Sequence, residues 1–246
     1  MLDQMSGGRL DMGFGRGASP IELAYFGEDP DKAQIIYAEM LDLIRAGLTE
    51  RTLNFNGQHF RFKDVPMELQ PLQRPHPPIW YGLHAPESGE RAARQRLNVI
   101  CLDSPEMSRA AIERYCAVWR EMHGEGGARP KIGLGRFIVV GETDAAAQAL
   151  AWRAYPRWHD SFNYLFRRHG LIPQHARPAD FETLQAVGQG VAGAPDTVTA
   201  FLRAQHRLTG ANYCVGQFAF GDMTLAETMQ SLELFVRRVM PALKDA

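Results

Sequence analysis

The chain has 246 residues, 45% of them hydrophobic and 22% charged, with a formal net charge of −1. Lys and Arg are scattered, which leaves no basic stripe for nucleic acid, and the longest apolar runs, such as Phe137-Ile138-Val139-Val140, fall far short of the roughly 18 residues of a membrane span. Three widely separated cysteines, Cys101, Cys116 and Cys214, fit reduced thiols, and Met1 to Gln4 lacks the character of a secretory leader, so a cytoplasmic protein is expected.

Leu2 and Met5 stand at helical spacing, and Gly7-Gly8 supplies residues that end a helix in the left-handed region. A helix of one turn costs more to nucleate than it returns unless something packs on it, so the chain opens as the middle of a longer pattern would. A strand-like run over 10–15 follows and closes on Arg16, flanked by Gly15 and Gly17. Next comes a helix with Asp29 as N-cap, Pro30 at its first position, and Ile36, Met40, Leu43 and Ile44 on one face. Residues 53–62 read as a hairpin with Asn56-Gly57 at the turn. Apolar runs at 78–83 and 98–102 each lead into a proline that opens a helix, Pro86 and Pro105, which makes two βα units.

A strand over 131–140 precedes a helical pattern from 143 to 170, broken near Pro156, and then a stretch over 171–193 rich in Pro, Gly and polar residues. Residues 143–193 are therefore expected to form an insertion. Pro195 opens a helix with Val198, Phe201, Leu202 and Leu208 on its buried face, ended by Gly210. A strand over 212–218 is followed by a last helix with a capping box, Thr224 to Glu227, and a stripe of Leu225, Met229, Leu232, Val236 and Val239. Strands alternating with helices predict a parallel α/β sheet with crossover helices in one domain over 1–246. Only five barrel-type strands can be placed, because the hairpin and the insertion consume the remaining length.

In a parallel barrel the C-terminal strand ends form the functional face, and two of them carry suggestive residues. The residues alone leave Arg16 open between a surface arginine on a flexible turn and an anion ligand beside glycines that let backbone approach closely. Ser88, in the first turn of the helix after residues 78–83, is either a capping serine or an anion contact, together with the main chain near Glu87. His84 stands at the same strand end, either facing a site or solvated. Gly188-Gln189-Gly190-Val191-Ala192-Gly193 has dinucleotide-loop spacing, but it follows a polar loop and lacks the acidic residue at a second strand end. Gly15-Arg16-Gly17-Ala18-Ser19 is not a phosphate-binding lysine loop. No histidine or cysteine spacing signals a metal site, and none is expected. Trp152, Trp158, Phe162, Tyr164 and Phe166 read as packing residues.

The motifs Leu2-Asp3-x-x-Ser6-Gly7-Gly8-Arg9-Leu10, Gly13-x-Gly15-Arg16-Gly17, Gln73-Arg74-Pro75-His76-Pro77-Pro78-Ile79-Trp80, Pro86-Glu87-Ser88, Gly193-Ala194-Pro195-Asp196 and Ser231-Leu232-Glu233-Leu234-Phe235 occur in that order. In this the chain resembles the bacterial luciferase-like flavin-dependent monooxygenases. The resemblance implies an incomplete TIM (β/α)8-type barrel that lacks the first three strands, with a hairpin excursion and a helical insertion. It implies a monooxygenase that takes reduced FMN from a separate reductase and uses dioxygen to oxygenate a small organic substrate such as an aldehyde, with the deazaflavin coenzyme F420 as the alternative cofactor. A non-catalytic flavin-binding remnant is the rival reading. It assigns Arg16 to the flavin phosphate and Ser88, Glu87 and His84 to the cofactor site; the serine or threonine often found before the proline is Ala85 here. The family's supporting histidine lies on an early strand, so no catalytic residue is assigned. Loss of three strands predicts an open-sided sheet, poorly stable alone or sealed by a second copy in a homodimer.

Overall fold

The computed structural model describes residues 1–17, 19–124 and 130–244, so Ala18 of the glycine-flanked arginine loop lies outside the described residues. The chain divides into two compact units, Met1–Tyr81 and Gly82–Ala246.

In the first unit a single turn, α1 (Leu2–Met5), ends where Gly8 N–H donates to Asp3 O at 2.9 Å and Gly7 N–H to Gln4 O at 3.2 Å. Gly7 and Gly8 take φ of 65° and 77°, the left-handed conformation their sequence suggested. The turn persists because Asp3 packs on it from within: its carboxylate accepts from Gln73 N at 2.9 Å and Gln73 Nε2 at 2.8 Å. The expected strand at 10–15 shortens to β1 (Met12–Gly13). Helix α2 (Pro20–Tyr25), capped by Ser19, was not anticipated. Helix α3 (Ala33–Thr49) starts later than Asp29 and Pro30 suggested, because the Asp29 carboxylate accepts from Asp31 N and closes a separate turn ahead of the helix. Its buried residues are Ala33 and Leu41; of the predicted face Ile36, Leu43 and Ile44 are half-buried and Met40 is 41% exposed. Strands β2 (Thr52–Asn56) and β3 (Arg61–Pro66) form the expected hairpin. The Glu39 carboxylate, reaching from α3, accepts from the amides of Gln58, His59 and Phe60 and fixes the loop. Strand β4 (Ile79–Leu83) pairs in parallel with β1, Met12 opposite Ile79, and carries the chain into the second unit.

There the βα units form as expected: α4 (Pro86–Arg94), β5 (Asn98–Cys101) and α5 (Pro105–His123), each helix opening on its proline. Strand β6 (Ile132–Val140) is buried over its whole length and organises the sheet. Helix α6 (Asp144–Phe162) runs unbroken through Pro156, against the expected break. Pro156 is exposed and Trp152, four residues earlier, is 51% exposed, so the carbonyl that loses its donor lies on the solvent side. After α7 (Tyr164–Arg168) and α8 (Phe181–Ala186) comes β7 (Gly190–Gly193), a buried strand in the stretch read as a polar loop. Helix α9 (Pro195–Thr209) ends at Gly210 with φ 76°, as the sequence indicated, although Leu208 is 45% exposed. Strand β8 (Tyr213–Gln217) completes the sheet.

Gly133 and Leu134 of β6 pair with both β5 and β8, and Phe137 pairs with both β7 and β8. Strand β8 therefore follows one edge of β6, while β5 and β7 share the other, all in parallel. On one face Phe137 and Val139 pack with Tyr155, Phe181 and Phe220; on the other Ile138 and Val140 pack with Val198, Leu202 and Val239. Of the aromatics expected to pack, Trp158 and Phe166 do so, while Trp152 and Tyr164 are more than half exposed.

Helix α10 (Leu225–Leu234) carries the predicted capping box and continues as a π-helical segment, Phe235–Val239, then α11 (Met240–Lys244). Of the predicted stripe Val239 is buried, but Leu225 is 78% exposed and Met229 and Val236 are exposed too, and the other buried positions are Ser231 and Phe235. The Ser231 hydroxyl accepts from Val140 N at 2.8 Å, so a buried hydrogen bond to β6 sets which face docks.

Candidate functional site

In the second unit the residues just past β4 and β5 converge. His84 follows β4, and its Nδ1 lies 2.8 Å from Asp103 Oδ2, just past β5. His175, from the segment between α7 and α8, places its Nδ1 3.7 Å from the other oxygen, Asp103 Oδ1. The two imidazoles stack with centroids 4.1 Å apart and planes 22° apart. Asp103 is 4% exposed. Burial by itself would raise its carboxyl pKa, but the His84 hydrogen bond and the electrostatic influence of His84, His175 and Arg177 hold it below the ordinary range. For His175, burial comes first and lowers the pKa, with His84 and Arg177 adding to the effect against Asp103. Arg177 Nη1 donates to Leu102 O at 2.6 Å.

One ligand atom from each of His84, Asp103 and His175 lies within 4.8 Å of the others, close enough for a cation. Arg177 already brings positive charge to the same carboxylate, which disfavours a metal there. Arg136 on β6, which also feels the Asp103 charge, is 2% exposed and is held by Gln205 of α9.

The other residues singled out from sequence sit as follows. Ser88 is buried, and its hydroxyl accepts from His84 N and Ala85 N at 3.2 Å each while donating to Ala85 O at 2.6 Å. It acts as a cap for α4. Glu87 is exposed, and its amide, a first-turn donor that follows Pro86, has no partner among the described residues. In the first unit Arg16 is exposed, with Nη1 donating to the neutral Gln34 Oε1 at 3.1 Å and no carboxylate paired to it among the described residues. The structure joins His84 to Ser88 through the His84 amide, and it adds Asp103 and His175, which the sequence did not mark. Asp103 had one legible sign, its place directly ahead of the Ser104-Pro105 helix start; His175 had none.

A model of the luciferase-like monooxygenases matches residues 1–216. The chain belongs to this family. It is 36% identical over 225 residues to the uncharacterized protein y4wF of Sinorhizobium fredii, a match that spans 92% of this chain and 66% of that protein. It is 27% identical over 264 residues to the oxygenase component of a flavin-dependent trigonelline monooxygenase of Acinetobacter baylyi, covering 100% of this chain and 71% of that one. Among solved structures, monooxygenase RslO1 of Streptomyces bottropensis superposes with a TM-score of 0.82 at 24% identity, over 98% of this chain and 71% of that one. The oxygenating constituent of a Pseudomonas putida 3,6-diketocamphane monooxygenase, solved with FMN, gives 0.71 at 20% identity, over 98% and 73%. A coenzyme F420 dependent tetrahydromethanopterin reductase of Methanopyrus kandleri gives 0.66 at 18% identity, over 98% and 76%. The chain thus has the α/β, incomplete-barrel fold of luciferase-like proteins and spans about two thirds of the length of these relatives.

No described helix is long and apolar enough to cross a membrane. Cys101, Cys116 and Cys214 are free thiols, and burial pushes Cys101 up to about 12 and Cys214 to about 11.

Proposed function

We propose that this luciferase-like chain is the oxygenase part of a two-component monooxygenase, which receives reduced FMN from a separate reductase and oxygenates a small organic molecule. The observation that carries this reading is the family match over residues 1–216, which takes in Arg16, His84, Glu87 and Ser88. A relative that is an oxygenase component and a structural neighbour solved with FMN support it. A neighbour that depends on F420 keeps the deazaflavin as the cofactor to be tested beside FMN.

The donor set fits a phosphate-bearing cofactor. Arg16 is a guanidinium with a neutral neighbour, so most of its donors are available for two phosphate oxygens at once. The Glu87 amide is a vacant donor at a helix N-terminus, where the helix dipole favours an anion. The Ser88 hydroxyl reaches a phosphate only by exchanging its bond to Ala85 O, so its direct part is the smaller one. His84 stands at the end of β4, its amide bonded to the Ser88 hydroxyl. Reduced flavin, once bound, supplies the electrons that activate dioxygen; the chain's residues hold it and exclude water.

The test is equilibrium titration of the full chain with FMN and with F420. Arg16→Ala weakens binding of the true cofactor by about 1.5–3 kcal/mol, the worth of a hydrogen bond to a charged group. Equal dissociation constants for the two proteins remove Arg16 from the site. Oxygen consumption with reduced flavin and a panel of aldehydes and ketones then separates an oxygenase from a binding protein.

A further inference from the structure

We propose that His84 is a proton acceptor for an O–H or N–H group of a bound small molecule, held for that task by Asp103 and His175. The inference deepens the reading above by naming a ligand class, and its test uses no flavin.

The tautomer follows from the partner. An ionised carboxylate accepts and cannot donate, so in the 2.8 Å contact with Asp103 the proton sits on His84 Nδ1. Neutral His84 therefore presents a lone pair at Nε2, and this nitrogen has no partner among the described residues. Apart from its chain neighbours, a Cβ built on Gly82 would have among the described residues only His84 Nε2, at 4.0 Å, within that range, so the glycine leaves room for a ligand beside the nitrogen. Two contacts fix the ring: the Asp103 bond in its plane and the stacked His175 on its face. A carboxylate on one nitrogen and an open second nitrogen form the arrangement by which proteins orient an imidazole base.

In the step, the ligand's O–H or N–H bond breaks, an N–H bond forms at His84 Nε2, and the electron pair stays on the ligand atom. Asp103 stabilises the imidazolium, which passes its proton to water through a side chain that is 42% exposed. His175 and Arg177 from the segment between α7 and α8 face the pair, and Arg136 of β6 and the Cys101 thiol of β5 also feel Asp103. The arginines oppose a second positive charge, so the acceptor suits donors more acidic than an ordinary alcohol, the activated phenol and enol class. Asp103 and His175 are positioning residues.

The probe is para-nitrophenol, whose anion is read by its visible absorbance. Bound to the full chain, it ionises about one pH unit lower than when free, and this shift disappears in His84→Gln and Asp103→Asn. His175→Phe, which keeps a stacking ring, retains most of it. Should Asp103→Asn fail to fold, long-range proton–nitrogen correlation on the wild-type chain, assigned by the signal missing in His84→Gln, reports His84 with its proton on Nδ1. The proposal is overturned by the Nε2–H tautomer, by a probe that fails to bind or ionises equally in His84→Gln, or by a stoichiometric zinc(II) titration that moves both imidazole signals together. Loss of flavin binding in Arg16→Ala leaves all these readouts in place, so the two readings fail separately.

Discussion

Arg136 Nε and Nη2 both donate to a single oxygen, Gln205 Oε1, at 3.2 and 3.0 Å, while Nη1 donates to Gly135 O at 2.8 Å. A guanidinium that is 2% exposed thus rests on neutral acceptors, and burial pulls its pKa down to about 10, still charged at neutral pH. Gln205→Leu strands that charge and is expected to destabilise the chain by about 3–5 kcal/mol in urea melts. Arg136→Met added to Gln205→Leu restores most of the loss, because an apolar pair of similar volume has no charge to desolvate. A double variant as weak as the single one refutes this account.

Gly221 has φ 60°, and a Cβ built there would run into the Ala154 carbonyl of α6. Gly221→Ala combines left-handed strain with a clash against backbone and should cost at least about 2 kcal/mol. Differential scanning calorimetry of the two proteins reads this, and an unchanged melting temperature would contradict it.

The Asp3 carboxyl lies below its ordinary range, chiefly through the hydrogen bond from the Gln73 backbone amide. Its folded pKa is lower than the unfolded value of about 3.9, so the stabilisation is present above that value and is lost as pH falls through the lower, folded one. Asp3→Asn should lower the denaturant midpoint at neutral pH, with the gap to wild type closing in acid. A gap that stays constant with pH would point to packing instead of charge.

At the start of α10 the Thr224 hydroxyl accepts from Glu227 N at 3.2 Å, and Glu227 accepts from Thr224 N at 2.8 Å. Thr224→Ala is expected to cost about 0.5–2 kcal/mol by thermal melt. The Arg153 hydrogen bond, ahead of those from Thr224, holds the Glu227 carboxyl down at about 2. Its contribution, which solvent and salt screen, is complete above the unfolded carboxyl pKa and disappears as pH falls toward about 2. In Arg153→Ala the same acid transition moves to higher pH.

Much of the scaffold is written locally. Pro86, Pro105 and Pro195 each open a helix because a fixed φ and a missing N–H suit the first helical position, and Gly210 ends one because it takes a left-handed φ. The hairpin was visible for the same reason, although Glu39 of α3 and not the Asn56-Gly57 pair alone holds its loop. Strand β7 was not visible: four residues of Gly, Val and Ala have little strand character until β6 offers them an edge.

The sequence by itself determined the alternation of strands and helices, the family, and the candidate residues at strand ends, since these depend on backbone preferences and spacings within a few residues. Tertiary structure alone decided which face of the last helix docks, set by a Ser231 to Val140 bond across 91 positions, and that His84 meets Asp103 across 19 and stacks on His175. Periodicity is a short-range property of the chain. A hydrogen bond between distant segments exists only once the sheet has brought their ends together, so no local pattern encodes it.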